Sequence, residues 1–193
     1  AIKLYPNFAE AYSNLGNILN NLGKFQEAEI STRKAIKLYP NFAEAYSNLG
    51  NTCKDLGKLQ EAEESTRKAI ELKPNFAKAH SNLAAILYDL GEFKEAKESA
   101  KKATKLMPDF GTAYYNLGNI MREIGALKEA YESYNIALEK EENSPIIISE
   151  LIRVASKLSL WNDVNKYSNL LSFIDINLQC INPFTLCHIQ DDP

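Results

Sequence analysis

Residues 43–76 read AEAYSNLGNTCKDLGKLQEAEESTRKAIELKPNF, and residues 9–42 match them at 26 of 34 positions. Shared composition does not align positions in this way, so the segment is a duplicated unit. The interval persists along the chain. Pro6, Pro40, Pro74 and Pro108 keep it, as do Gly23, Gly57, Gly91 and Gly125. Two alanine series keep it as well: Ala28, Ala62, Ala96 and Ala130, then Ala35, Ala69, Ala103 and Ala137. Leu15, Leu49, Leu83 and Leu117 complete the frame.

The unit reads as two helices. Asn41 follows Pro40 and is expected to cap the first helix, with Glu44 three residues on completing a capping box. Tyr46, Leu49, Gly50 and Cys53 recur at helical spacing and form its packed stripe. Gly57 follows the last turn, where a left-handed residue ends a helix. A second helix is expected from about Leu59 to Leu72 with the stripe Leu59, Ala62, Ala69 and Leu72, and Pro74 stops it. Gly50, Ala62 and Ala69 are small enough for close helix approach. One such hairpin cannot bury its apolar stripes, and stacked hairpins can. The fold class is therefore all-α, a right-handed superhelical solenoid of antiparallel helix pairs.

The period, with Tyr, Leu-Gly, Gly, Ala, Ala and Pro in that order, resembles the tetratricopeptide repeat. The resemblance covers residues 9–142 and sets four units at 9–42, 43–76, 77–110 and 111–144. Ala84 departs from it by replacing a glycine. Thr32 and Thr66 stand where the family usually has a large aromatic, and Tyr134 is closer to type. Residues 1–8, AIKLYPNF, recur at 35–42, so they read as the remnant of a preceding unit and the array as part of a longer one. Ser144-Pro145 is a helix start. Leu151, Leu158 and Trp161 stay in frame with Leu117, Ile124 and Leu127, which makes 145–174 a divergent fifth hairpin. It has Ile152, Val164 and Leu171 where earlier units are mostly small. Residues 175–193 carry no stripe and read as an extended connector toward a missing downstream domain.

Opposite the packed stripe, Glu44, Asn48, Asn51 and Asp55 share a polar face. The resemblance implies that first helices line a concave groove, so this face is the expected working surface. Asn14, Asn48, Asn82 and Asn116 place one asparagine per unit along it. A second row is Asn17, Asn51 and Asn119, interrupted by Ala85. Lys78 belongs to the same surface. An asparagine amide offers donors and an acceptor. Helices stack roughly 8–10 Å apart and an extended chain advances about 3.3 Å per residue, so one amide per unit meets a peptide backbone about every third residue. The competing reading is that these amides bond to neighbouring helices, in which case the recognition ladder fails while the architecture stands. Such a ladder resembles that of the repeat domain of O-linked N-acetylglucosamine transferases. A carboxylate clamp for chaperone tails needs basic residues where Ser13, Ser47, Asn48 and Asn82 stand. Tyr88, Tyr114 and Tyr115 could enrich a groove, although Tyr114 holds a core position.

Composition narrows the function classes. Lys plus Arg total 22 and Asp plus Glu 25, a net charge of −3 with no basic excess for nucleic acid or anionic lipid. No apolar run approaches the ~20 residues of a membrane span, and the first residues lack the features of a signal peptide. Cys53, Cys180 and Cys187 are too few for a disulfide scaffold and read as reduced thiols in a cytoplasmic protein. Cys53 is on the packed stripe, and His80 replaces Tyr12 and Tyr46 as a packing residue. Cys187-His188 lacks the other spacings of a zinc site. No cofactor, metal or catalytic residue is expected. Glu29–Arg33, Glu63–Arg67 and Glu64–Lys68 read as helix-surface pairs.

The last segment carries a second resemblance. Trp161-Asn162-Asp163, Pro183-Phe184 and Asp191-Asp192-Pro193 resemble bacterial SPINDLY-like proteins, relatives of the O-linked N-acetylglucosamine transferases, in the stretch before their catalytic domain. That family's nucleotide-sugar and catalytic residues would lie beyond Pro193, and none is carried onto this chain. The expected function is a protein-interaction module that takes extended peptides in its groove and recruits substrates for a protein O-glycosyltransferase. The alternatives are an assembly scaffold with no associated enzyme and the recruiting array of a different enzyme, such as a sulfotransferase. A protein or peptide is the expected partner, and self-association through the cut ends is a further expectation.

Overall fold

The computed structural model describes residues 8–141 and 143–181, and of 175–181 the backbone alone. Those residues form ten helices and no strand. In chain order they are α1 (Ala9–Asn21), α2 (Phe25–Leu38), α3 (Ala43–Asp55), α4 (Leu59–Leu72), α5 (Ala77–Asp89), α6 (Phe93–Leu106), α7 (Gly111–Glu123), α8 (Leu127–Lys140), α9 (Pro145–Lys157) and α10 (Trp161–Ile181). Each odd helix pairs with the next even one, and each even helix packs on the following odd one. Odd helices also meet each other, α1 on α3, α3 on α5 and α5 on α7. The expected right-handed solenoid of antiparallel pairs is the architecture found.

The stop signals act as the sequence implies. Gly57 has φ +75°, and its N–H donates to Lys54 O at 2.9 Å while Lys58 N–H donates to Cys53 O at 2.8 Å. These two bonds satisfy the last carbonyls of α3, and the left-handed backbone they need favours glycine. In the fifth hairpin Ser159 takes this position, with φ 59°.

The start signals are only partly as expected. The N-cap of α3 is Phe42, not Asn41, and no side chain caps it. Phe42 N–H donates to Tyr39 O at 3.2 Å, so Asn41 lies within a turn and the helix begins one residue later than a capping box requires. Ser144 does stand at the N-cap of α9, with Pro145 in its first turn.

Helices α9 and α10 form the fifth hairpin, but α10 runs to Ile181, past the expected end at 174. The reading of an extended connector from 175 is corrected for 175–181. No glycine or proline interrupts Trp161–Ile181, so each added residue contributes one more backbone bond. Residues 182–193, with Pro183-Phe184 and Asp191-Asp192-Pro193, lie outside the described residues, as do residues 1–7.

Close approach within a unit depends on a matched pair of positions. A Cβ on Gly50 would collide with Thr66 Oγ1, which itself donates to Ala62 O at 2.7 Å. Gly16 faces Thr32 in the same way. In the third unit the pair is Ala84 and Ala100, both fully buried. In the fourth it is Gly118 under the ring of Tyr134, whose Cδ1 lies 2.6 Å from where a Cβ would sit. The two departures from the repeat pattern are therefore compensated inside the same hairpin.

Candidate functional site

The first helices of the units align their polar faces along the inner side of the solenoid. A groove of about 720 Å³ opens there. Its walls include Asn14, Asn48 and Asn82 of the expected ladder, Asn17 and Asn51 of the second row, and both Glu44 and Lys78. Asn116 and Asn119 instead line a smaller recess of about 200 Å³ further along. Asp55 is drawn into intrachain bonds: its Oδ2 accepts from Asn20 Nδ2 at 2.8 Å and from Asn51 Nδ2 at 3.4 Å.

The ladder amides are partly committed to the fold. Asn48 Nδ2 donates to Ser13 Oγ at 3.0 Å, Asn82 Nδ2 to Ser47 Oγ at 3.2 Å and Asn116 Nδ2 to Ser81 Oγ at 3.1 Å. Asn82 and Asn116 also approach the backbone oxygens of those serines, at 3.4 and 3.2 Å. A carbonyl only accepts, so it fixes which end of each amide faces the neighbouring unit. At Asn48, Asn82 and Asn116 the competing reading therefore holds for the amide nitrogens, which bond to the neighbouring helix, and the expectation that every ladder amide offers its donors to a ligand is corrected there. The serine hydroxyls are buried, and the asparagines satisfy them. The amide oxygens are what remains for a ligand, and none of the three is a buried, unpartnered atom. Asn14 and Asn17 are exposed and make no intrachain side-chain bond among the described residues. Asn119 Oδ1 accepts from the buried Tyr134 hydroxyl at 2.7 Å.

Charge at the groove is local and balanced. Lys73 Nζ meets Glu44 Oε1 at 2.7 Å, and this bond holds the Glu44 carboxyl below its ordinary range. Lys78 is exposed beside them. Sequence reasoning missed a third component, the row Phe42, Phe76 and Phe110 on the groove wall. Its signal was present, since these phenylalanines recur at the repeat interval, each just before a first helix.

The other cysteine, histidine and carboxylate groups singled out among the described residues sit in intrachain contacts. Cys53 is buried, and desolvation pushes its thiol up to about 11. Glu29, Cys53 and Glu61 bring ligand atoms within 4.8 Å of one another. Lys58 already holds Glu29 at 2.8 Å, and Arg33 bridges Glu29 and Glu61, so the carboxylate charge is neutralised without a metal. His80 Nε2 lies 2.9 Å from Pro74 O, a local packing contact. On the outer helices Glu29–Arg33 and Glu63–Arg67 pair as expected, whereas Lys68 turns to Glu71 instead of Glu64. No described helix is long and apolar enough to cross a membrane.

Comparison with known proteins agrees with the fold. Family models for the tetratricopeptide repeat match residues 9–42, 43–76 and 77–110. No curated protein matches the sequence. Among solved structures, PilF of Pseudomonas aeruginosa superimposes with a TM-score of 0.78 at 23% identity, over 85% of this chain and 75% of that one. TTC0263 of Thermus thermophilus, a thermophilic repeat protein, gives 0.75 at 21% identity, over 93% and 99%. YrrB, described as a repeat protein with an unusual peptide-binding site, gives 0.64 at 19% identity, over 96% and 93%. At these identities the likeness extends to the fold.

Proposed function

Because this chain belongs to the tetratricopeptide repeat family, whose arrays are protein–protein interaction modules, we propose that it binds an extended peptide segment along its concave groove. The observation that carries the reading is the continuous groove of about 720 Å³ faced by Asn14, Asn17, Asn48, Asn51 and Asn82. Where Nδ2 is held by the preceding serine, Oδ1 accepts a peptide N–H. Asn14 and Asn17 offer both kinds of group. Each neutral bond contributes about 0.5–1.5 kcal/mol net, so a few amides give weak, sequence-tolerant capture, and the phenylalanine row adds apolar contact. YrrB, which shares the fold, is itself described as having a peptide-binding site.

The test uses the two amides that make no intrachain side-chain bond among the described residues. Replacing Asn14 and Asn17 by Ala leaves helical content unchanged and weakens binding of unstructured peptides, read by fluorescence anisotropy. Undiminished binding by the double variant contradicts the reading. Asn48, Asn82 and Asn116 serve less well, because their removal also strips buried serines of a partner.

On the second resemblance, the array recruits protein substrates to a SPINDLY-like O-glycosyltransferase domain, raising their local concentration at a tethered active site. Assaying the full-length protein with sugar nucleotides and with sulfate donors separates this from a sulfotransferase and from a plain scaffold.

A further inference from the structure

The second asparagine row is broken at one place, and the break has a shape. Asn17, Asn51 and Asn119 keep the frame, and Ala85 stands between the last two where the third unit should have its member. The missing amide leaves a recess of about 200 Å³ between α5 and α7, lined by Lys54, Ala85, Tyr88, Asp89, Tyr115 and Asn119. Two of its walls are tyrosine rings, and both are held from behind. Tyr88 packs edge-on against Phe93 at 5.7 Å, and its hydroxyl accepts from Arg122 Nη2 at 3.4 Å. Tyr115 lies 6.0 Å from the fully buried Tyr134 ring. The aliphatic surface of the recess is the side chain of the half-buried Ala85.

Of the residues that line the recess one is cationic and one anionic, Lys54 and Asp89, 3.8 Å apart. Lys54 also lies 3.7 Å from Asp55, outside the recess, so no unpaired positive charge is left at the rim. Asn119 has its oxygen taken by Tyr134 and keeps its amide N–H groups for a guest. A cavity with two fixed aromatic walls, an aliphatic surface and a few donors fits a flat, uncharged ring better than a charged or branched side chain.

We propose that this recess is a side-chain subsite that takes one aromatic residue of the bound peptide. It rests on the groove reading above. The amides toward the N-terminal end hold the strand by its backbone, and the recess beside Ala85 fixes the register by admitting one ring. Binding of the strand is thereby tolerant of sequence along most of its length and selective at one position.

The test compares two fluorescein-labelled twelve-residue Gly/Ser peptides in anisotropy titrations with the full chain. One carries a central Phe and the other Ala at the same place. The native chain favours the Phe peptide by about tenfold, the scale set by burying one aromatic side chain. Ala85→Asn completes the row as Asn51 and Asn119 already do, so it fills the recess without disturbing the fold. In that variant the preference falls to near unity, while the Ala peptide binds as before. Tyr115→Ser, the residue that Ser13, Ser47 and Ser81 show at this position, removes one wall and lowers the preference as well. Circular dichroism confirms that both variants keep their helices. Equal binding of the two peptides by the native chain overturns the subsite and leaves the groove reading intact. Binding of neither peptide overturns both. A preference that survives Ala85→Asn unchanged places the ring elsewhere and overturns the subsite.

Discussion

The junctions among the first four units and the junction into the fifth hairpin solve one packing problem in different ways. Ser13 with Asn48, Ser47 with Asn82 and Ser81 with Asn116 join successive first helices by an amide–hydroxyl bond. At the next step Tyr115 replaces the serine and Glu150 stands where the asparagine would be. The joint there is an ion pair, Arg122 Nη1 to Glu150 Oε2 at 2.8 Å, with the two side chains 15% and 13% exposed. The cores differ in the same sense. Toward the N-terminus the apolar residues fall into two small clusters around Leu49 and Tyr12. From α5 onward one cluster unites Leu87, Met121, Tyr134, Ile148, Leu151 and Val154. Faithful copies keep small residues and neutral joints, and drifted units trade them in compensated sets. A repeat array changes by pairs because both halves of each joint must still meet.

The largest effect that tests this contrast is at one structural position in two units. Tyr134→Ala empties a fully buried site and costs about 3–5 kcal/mol. Thr66→Ala, its counterpart, removes one hydroxyl and one methyl group and costs about 1–2 kcal/mol. Urea unfolding of each variant gives the comparison, and similar losses would erase the distinction between the two halves. Next in size is Gly50→Ala, which sets a methyl against Thr66 and costs about 1–3 kcal/mol. Combining it with Thr66→Ala recreates the natural Ala84–Ala100 pair and recovers most of that loss. A double variant no better than the sum of the singles would mean that the positions are not coupled.

Ser159→Gly sharpens the account of the fifth hairpin. Ser159 holds φ 59°, the backbone that the other four units assign to glycine. Relieving it raises stability by about 1 kcal/mol, visible as a higher thermal midpoint. The smallest effect is electrostatic. The Lys58 bond, aided by Arg33, holds the Glu29 carboxyl below its ordinary value despite the opposing cost of burial. Its stabilisation is therefore present above the ordinary carboxylate range and lost as pH falls through the lowered value. Acid titration of the native chain shows that loss, and Glu29→Gln flattens it.

The fold was legible because the 34-residue spacing of glycine, alanine and proline leaves one assembly that buries every stripe. The ladder positions were legible too, but not their bonding. Ser47 and Asn82 were copied together, so their regular spacing fits a ligand-reading row as well as an internal joint. The simultaneous change to Tyr115 and Glu150, where serine and asparagine stand in the earlier units, was the available sign that the serine and asparagine positions touch. The capping box at Asn41 misled because Pro40 and Asn41 close a turn that delays the helix by one residue. The continuation of α10 to Ile181 was obscured because its last residues have no counterpart in the repeat. The recess at Ala85 announces itself only as an absence, and its depth depends on how Tyr88 and Tyr115 are braced.

Side-chain amide signals observed by nuclear magnetic resonance during titration with an unstructured peptide test the central claim most directly. The account predicts concentration-dependent shifts of the Asn14, Asn17, Asn48, Asn51 and Asn82 amides, with the outer residue Asn135 unmoved. Shifts confined to the outer helices, with those five amides silent, would contradict it.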